Sequence, residues 1–419
     1  MGLNIDLKNL RNNFLSLLTL RAGNYVIPLL TLPYLIKVLG VEKFGLIAFA
    51  EMIIMYFKSI VDYGFDLTGT RSISENRKNK DSINKLINTI FGVKLILFIF
   101  CFLLLLIIIF IFPTLNDISL LLIYSYGIVL GNALLPIWFY QGMEKMKYIT
   151  IINFISKIAY IILLFIFIKN EPDYIYVPLL NSAGLIIGGL VSVIIMKTRF
   201  NVVFYIPKVQ DLLMTLKEDF NIFISTLAPN LYNNSMGVLL GIFTNNIQVG
   251  YYTAATKLIE VGNSVIYIIS TTIFPYLNRS ENYRKKLING TLLSGAAISL
   301  FFLLFSKVII MILFGQIMEP SIIILQILSL CPLFIAMMSV YGTNTLILQK
   351  KDTLVRDVVL GYSLLGFLLG FLFIKEQGII FAAIVLVSIR GLIGITELLV
   401  VKYNSTVIEN RNTKNDRED

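Results

Sequence analysis

Six basic residues, Arg21, Lys58, Lys94, Lys157, Lys257 and Arg390, stand inside apolar runs long enough to cross a lipid bilayer. A charge at the centre of a membrane helix costs about 2.5–3.5 kcal/mol even on the lenient insertion scale, so such residues face a protein interior or a water-filled cavity. Four acids, Glu51, Asp62, Glu260 and Glu397, occupy the same runs. Helical spacing sets them beside the cations: Glu51, Lys58 and Asp62 form one stripe, Lys257, Glu260 and Ser264 a second, and Arg390 and Glu397 a third. Amides add to the polar set. Asn153 shares a face with Lys157 and Tyr160, Asn24 follows Arg21, and Asn230, Asn233 and Asn234 follow Pro229.

The deep cations slightly outnumber the deep acids. Fixed positive charge in a cavity suits an anionic ligand, and Asn, Tyr and Ser suit hydroxyl-rich groups. With no histidine in the chain, any coupling to an ion gradient falls to the four carboxylates. Burial raises a carboxylate pKa while a neighbouring lysine lowers it, so H⁺ and Na⁺ both stay open as the coupling ion. The competing reading is that these charges neutralise one another between packed helices. For Lys58 and Lys94, a third reading is that their long stems carry the amine out to the nearer membrane surface.

Other chemistry is excluded. Cys101 and Cys331 lie inside apolar stretches and read as small buried hydrophobes, not as metal ligands or half of a disulfide. No metal and no cofactor are expected. No phosphate loop of the nucleotide-hydrolysing kind occurs, and Gly184, Gly188 and Gly189 read as close helix packing. No nucleophile, base and orienting group recur at a workable spacing, so no catalytic residues and no enzyme activity are expected.

The elements that must hold these residues are membrane helices. The chain of 419 residues is 57% hydrophobic, only 14% charged, and has a mean hydropathy of +0.82, whereas a soluble domain is about 25% charged. A bilayer core takes about 20 apolar residues per helix. Twelve such segments are expected, six from Asn13 to Met196 and six from Phe220 to Tyr403, in an all-α integral membrane protein. The first run lacks a small-residue cleavage site and is expected to stay as an anchor. Of the 35 Lys and Arg, 24 fall in one alternate set of connections, five in the other and six in mid-span. Cytoplasmic loops carry that excess, so both termini are expected to be cytoplasmic. The net charge of +10 is then a topology signal, and nucleic-acid binding is not expected.

An offset of about 205 residues brings Phe44-Gly45-Leu46 onto Val249-Gly250-Tyr251. Six spans separate corresponding elements, which preserves membrane orientation and implies two parallel, pseudo-symmetric six-helix bundles. The expected organisation is an N-terminal lobe 1–196, a cytoplasmic linker 197–219, a C-terminal lobe 220–403 and a tail 404–419, with the site in a central cavity.

Three stretches carry a family likeness: Pro28 to Gly45, Val61 to Ile73 (VDYGFDLTGTRSI) and Pro136 to Lys147 (PIWFYQGMEKMK). They resemble the Wzx-type polysaccharide flippases of the multidrug/oligosaccharidyl-lipid/polysaccharide exporter superfamily, and the likeness runs from about Leu10 to Val400. Asp62, Gly64, Phe65, Arg71, Lys94, Gln141 and Gly142 fall on family pattern positions. Arg21, Lys157, Lys257 and Arg390 match weakly, and their roles rest on the charge argument. The resemblance implies a cationic cavity for a polyprenyl-diphosphate-linked oligosaccharide such as an O-antigen or capsule repeat unit, in the bacterial inner membrane. A polysaccharide polymerase and assembly proteins are then candidate partners. Within the superfamily a drug or metabolite antiporter, for which an acidic cavity is expected, and a lipid II flippase are the alternatives. A membrane glycosyltransferase or polymerase is disfavoured by the short outer loops.

Overall fold

A computed structural model describes residues 2–273 and 281–415, with side chains placed over 29–227, 229–230, 232–273 and 284–403. Every regular element among them is helical. Eight helices of the described residues are long and apolar enough to cross a membrane, and their outward faces carry exposed Leu, Ile and Phe, as at Phe110 and Ile312. The protein is therefore a multi-pass membrane protein. Two of the eight, Leu29–Glu75 and Asp352–Tyr403, each cover parts of two expected spans, because the helix breaks at Gly40 (φ 76°) in one and at Gly378 (φ 62°) in the other. The runs expected at 220–243 and from 251 onward are helical but not among the eight; both carry polar side chains through their middles.

The chain forms two compact units, Leu30–Gly241 and Ile242–Asp419 with Met1–Leu29. The first holds most of α1 (Gly2–Asp62), then α2 (Phe65–Glu75), α3 (Lys80–Ile111), α4 (Pro113–Asn116), α5 (Ser119–Ala133), α6 (Ile137–Gly142) and α7 (Met146–Phe167). A 3-10 turn (Glu171–Tyr176), α8 (Val177–Arg199), α9 (Val209–Asn233) and most of α10 (Ser235–Phe243) complete it. The start of α3 follows from Asn79, whose side chain accepts the Ser82 N–H at 3.1 Å as an N-cap. Its end follows from Phe112-Pro113, since the residue before a proline leaves the helical region. The small residues of α8 let it lie close on its neighbours: a Cβ on Gly184 or Gly188 would strike Ser156 of α7, and one on Gly189 would strike Leu134. A core of Phe65, Ile73, Trp138, Phe139, Tyr140 and Met196 ties α2, α6 and α8 together.

The second unit contains α11 (Asn246–Ile273), α12 (Glu281–Phe314), α13 (Ser321–Leu328), α14 (Cys331–Met337), a π-helix (Met338–Ile347) and α15 (Asp352–Asn415). Its core forms where Ile266 of α11 meets Ile335 and Ala336 of α14. Ten residues of π-helix are unusual, since this form appears mostly as single-turn bulges, often at functional sites. Within it the Thr345 hydroxyl donates to the Val340 carbonyl, five residues back, at 2.8 Å.

Candidate functional site

In the Leu30–Gly241 unit the charges centre on Asp62. The α1 helix stops there because Tyr63 (φ 48°) and Gly64 (φ 80°) turn the chain through the left-handed region, which only glycine enters without cost. A Cβ on Gly64 would also lie 3.0 Å from Ile222 of α9. Tyr63 stacks on Phe223 at 4.6 Å, and its hydroxyl donates to the Leu216 carbonyl at 2.9 Å. So anchored, Asp62 accepts Lys94 of α3 on Oδ1 at 3.0 Å and Lys58 on Oδ2 at 3.3 Å. Lys94 is 2% exposed, and Asp66, at the start of α2, acts on the same two lysines. Two lysines and two carboxylates thus share one site. The reading in which deep charges neutralise one another fits the geometry at Lys58 and Lys94.

The remaining polar residues of this unit are spread. Glu51 accepts the Asn181 amide at 3.3 Å. The Asn230 amide donates to Ser59 Oγ at 2.8 Å, and Asn234 donates to Asn230 at 3.3 Å; Asn233 is half-buried beside them. Lys157 is half-buried on α7, and Asn153 lines a narrow crevice with Tyr140 and Ser192. Arg21 and Asn24 lie outside the residues whose side chains are described.

The two motifs of the first half pack on each other. Thr70 donates to Gln141 Oε1 at 3.2 Å, Gly69 sits against Trp138, and a Cβ on Gly142 would be 2.6 Å from Ile73 Cβ. Arg77 clamps the next turn by donating to the Gly142 carbonyl at 2.6 Å and pairing with Glu144 at 2.7 Å. Arg71 instead pairs with Glu75 on the exposed face of α2, a contact worth little. Below the motif, Thr68 donates to Asp219 at 3.1 Å. Burial nevertheless pushes the Asp219 carboxyl above the usual carboxylate range.

In the second unit Arg390 of α15 is 8% exposed and lies against Cys331, to whose sulfur it donates, and near Tyr252. Buried polar atoms cluster on α11 and α15: Tyr252 Oη, Thr253 Oγ1, Asn263 Oδ1 and Glu397 Oε2 have no hydrogen-bond partner. Glu397 is 1% exposed. It is seated against Gly342 of the π-helix, where an added Cβ would come within 2.5 Å of Oε1. Nearby on that element the Asn344 amide donates to Ser270 at 3.0 Å. Lys257 pairs with Glu260 at 3.4 Å, both half-exposed. Sequence reasoning missed Asn181, Asp66, Asn344 and Ser270. Asn344 and Asn181 carried the usable signal, an amide inside an apolar run.

Arg390 and Lys157 thus offer positive charge partly shielded from water, and Glu397 a buried carboxyl, the kinds of group that suit an anion and a proton or small cation respectively. Across 92% of its length the chain superposes on 96% of an inward-facing multidrug resistance MATE family transporter of the MOP superfamily, with a TM-score of 0.75 and 13% identity. It matches the lipid II flippase MurJ in its inward closed conformation with a TM-score of 0.70 and 15% identity, over 92% of this chain and 87% of that one. In sequence it is 28% identical over 417 residues to the "Putative O-antigen transporter" of Escherichia coli (strain K12), covering 97% of this chain and all of the relative. Residues 10–281 match the family described as polysaccharide biosynthesis protein, and the chain belongs to that family.

Proposed function

We propose that this protein is a flippase that moves polyprenyl-diphosphate-linked oligosaccharide repeat units, of O-antigen, capsule or a similar polysaccharide, from the cytoplasmic to the outer leaflet of a bacterial inner membrane. The observation that carries the reading is the end-to-end match to the Escherichia coli relative named for O-antigen transport. The chemistry of the membrane helices supports it. A diphosphate calls for cations in a partly desolvated site, and Arg390, Lys157, Lys257 and Arg21 are the residues we assign to it. Asn153, Asn230, Asn233 and Asn234, with Asn24, offer amides to sugar hydroxyls, while the polyprenyl tail stays in the bilayer.

The cycle is alternating access, with two pseudo-symmetric halves of six spans, residues 197–219 as their cytoplasmic linker and both termini in the cytoplasm. The protein transports without altering its substrate. A carboxylate couples the cycle to H⁺ or Na⁺, and among Glu51, Asp62, Glu260 and Glu397 the last is the strongest candidate. Asp62 is occupied by two lysines, whereas Glu397 is buried with Oε2 unbonded. A polysaccharide polymerase receives the product at the outer leaflet.

The test is reconstitution into liposomes with a labelled polyprenyl-diphosphate oligosaccharide. Movement of label to the opposite leaflet, lost in Arg390→Ala at equal protein content, is the expected result. Liposomes that leave the lipid in place but exchange organic cations for protons would replace this reading with that of a drug antiporter.

A further inference from the structure

One basic pocket of the Leu30–Gly241 unit has no part in the transport reading. It lies where the α2–α3 turn meets the segment after α8 and has a volume of about 230 Å³. Arg77, Lys78, Lys80 and Asn84 supply its polar wall, and Phe139 and Phe200 are among its apolar lining. Arg77 is taken by Glu144 at 2.7 Å. Lys78 and Lys80 pair with no carboxylate among the described residues, and Asp81, their nearest acid in sequence, does not line the pocket. The space is smaller than the roughly 300–1,000 Å³ of pockets that enclose drug-sized ligands, which suits a phosphate group and not a lipid-linked oligosaccharide.

Beside the pocket runs an apolar strip. Val203, Phe204, Tyr205 and Ile206 are exposed, Ile206 to 95%. Hydrogen bonds to α3 hold the strip in place: Asn88 donates to the Val203 carbonyl at 2.8 Å, and the Tyr205 and Val203 amides donate to Asn88 at 2.8 Å and Asn84 at 3.2 Å. An exposed apolar segment fixed next to unpaired lysines, at the end of membrane helices, has the character of an interfacial anchor. Basic pockets of this kind receive lipid head groups.

We propose that this pocket binds the phosphate of an anionic phospholipid, with the acyl chains lying along residues 203–206. Lys78 and Lys80 hold the phosphate, and the strip selects a lipid over a soluble phosphate. The site does not depend on which substrate the protein transports.

The experiment uses the full chain in neutral detergent and reads its unfolding temperature during titration with phosphatidylglycerol, phosphatidylcholine of the same acyl chains, or inorganic phosphate, since a ligand bound to the folded state raises that temperature. Phosphatidylglycerol should stabilise at lower concentration than phosphatidylcholine, and inorganic phosphate should neither stabilise nor compete. Each lysine near a phosphate contributes about fivefold in affinity. The double variant Lys78→Gln/Lys80→Gln should therefore need about 25-fold more phosphatidylglycerol, while Lys78→Arg/Lys80→Arg keeps the preference. Equal stabilisation by the two lipids, an unchanged preference in the Gln variant, or full competition by inorganic phosphate each overturns the proposal. If the Gln variant does not fold, salt decides: screening at 1 M shortens the reach of exposed charges to about 3 Å, so a wild-type preference that survives added salt also overturns it.

Discussion

Removing the carboxylate of Asp62 should harm the protein far more than removing either lysine it binds. The asymmetry follows from exposure. Lys94 is 2% exposed and its described carboxylate contact is Asp62 at 3.0 Å, whereas the Lys58 and Asp62 side chains are 31% and 24% exposed. In Asp62→Asn the Lys94 ammonium stays inside without its partner, which costs about 3–5 kcal/mol for a buried pair broken on one side. The Asp66 carboxylate, which also acts on Lys94, holds the cost toward the lower figure. In Lys94→Met the shape is kept, no charge is stranded and Asp62 keeps Lys58, so the cost should be about 1 kcal/mol. Lys58→Ala breaks a partly solvated i,i+4 pair and should cost under about 1 kcal/mol. The double variant Asp62→Asn/Lys94→Met should regain about 2 kcal/mol relative to Asp62→Asn alone, because the stranded charge is gone. Reversible unfolding in mixed detergent, followed by circular dichroism for the four variants, measures this order. If Lys58→Ala costs as much as Asp62→Asn, or the double variant is no better than the single, the buried pair is not what holds α1 to α3.

Topology can be tested by cysteine labelling in intact cells: an impermeant maleimide should modify a cysteine placed at Asn170 and spare one at Asn79, and equal labelling of both refutes a cytoplasmic 71–85 loop. In Gly342→Ala the new methyl meets Glu397 Oε1 at 2.5 Å, an overpacking cost of about 1–3 kcal/mol; Glu397→Ala in the same chain should restore the unfolding midpoint, and no rescue would mean that the π-helix itself cannot take alanine. Arg390→Ala at normal protein levels should abolish surface polysaccharide, while loss of the protein itself would assign Arg390 to internal packing. Glu397→Gln should uncouple flipping from an imposed ion gradient in vesicles, and a wild-type rate indifferent to both proton and sodium gradients would make the protein a passive facilitator.

Much of this could be read from residue types alone. Hydropathy anticipated the eight membrane-length helices of the described residues, with Phe110 and Ile312 on their exposed faces, and the 61–73 and 136–147 motifs proved to be two faces of one packed unit through Thr70 and Gln141. Helical spacing correctly paired Lys58 with Asp62 and Lys257 with Glu260, because i,i+4 and i,i+3 neighbours meet by geometry. It could not pair Lys94 with Asp62, which stand 32 residues apart on different helices. It placed Arg390 and Glu397 on one face but could not show that Glu397 rests on a glycine of the π-helix. A local period reports which side of a helix is polar, and only tertiary packing decides what that side meets.

Packing also separates the deep charges by what they can still do. Lys94, Lys58 and Asp62 satisfy one another, so a substrate anion would have to displace a carboxylate held at 3.0 Å and 3.3 Å; their physical work is to lock the end of α1 against α3. In the second unit the buried atoms of Tyr252, Thr253, Asn263 and Glu397 lack such closure. A buried polar atom without a partner costs about 1–3 kcal/mol, and native proteins seldom carry several together unless they serve a function. The same unit bends its chain into a π-helix beside Glu397, with Gly342 leaving just enough room for the carboxyl. Unsatisfied polarity and irregular backbone therefore coincide on one carboxylate. On that coincidence we propose α11, α15 and the π-helix, and not the better paired cluster at Asp62, as the place among the described residues where a bound ion or substrate acts.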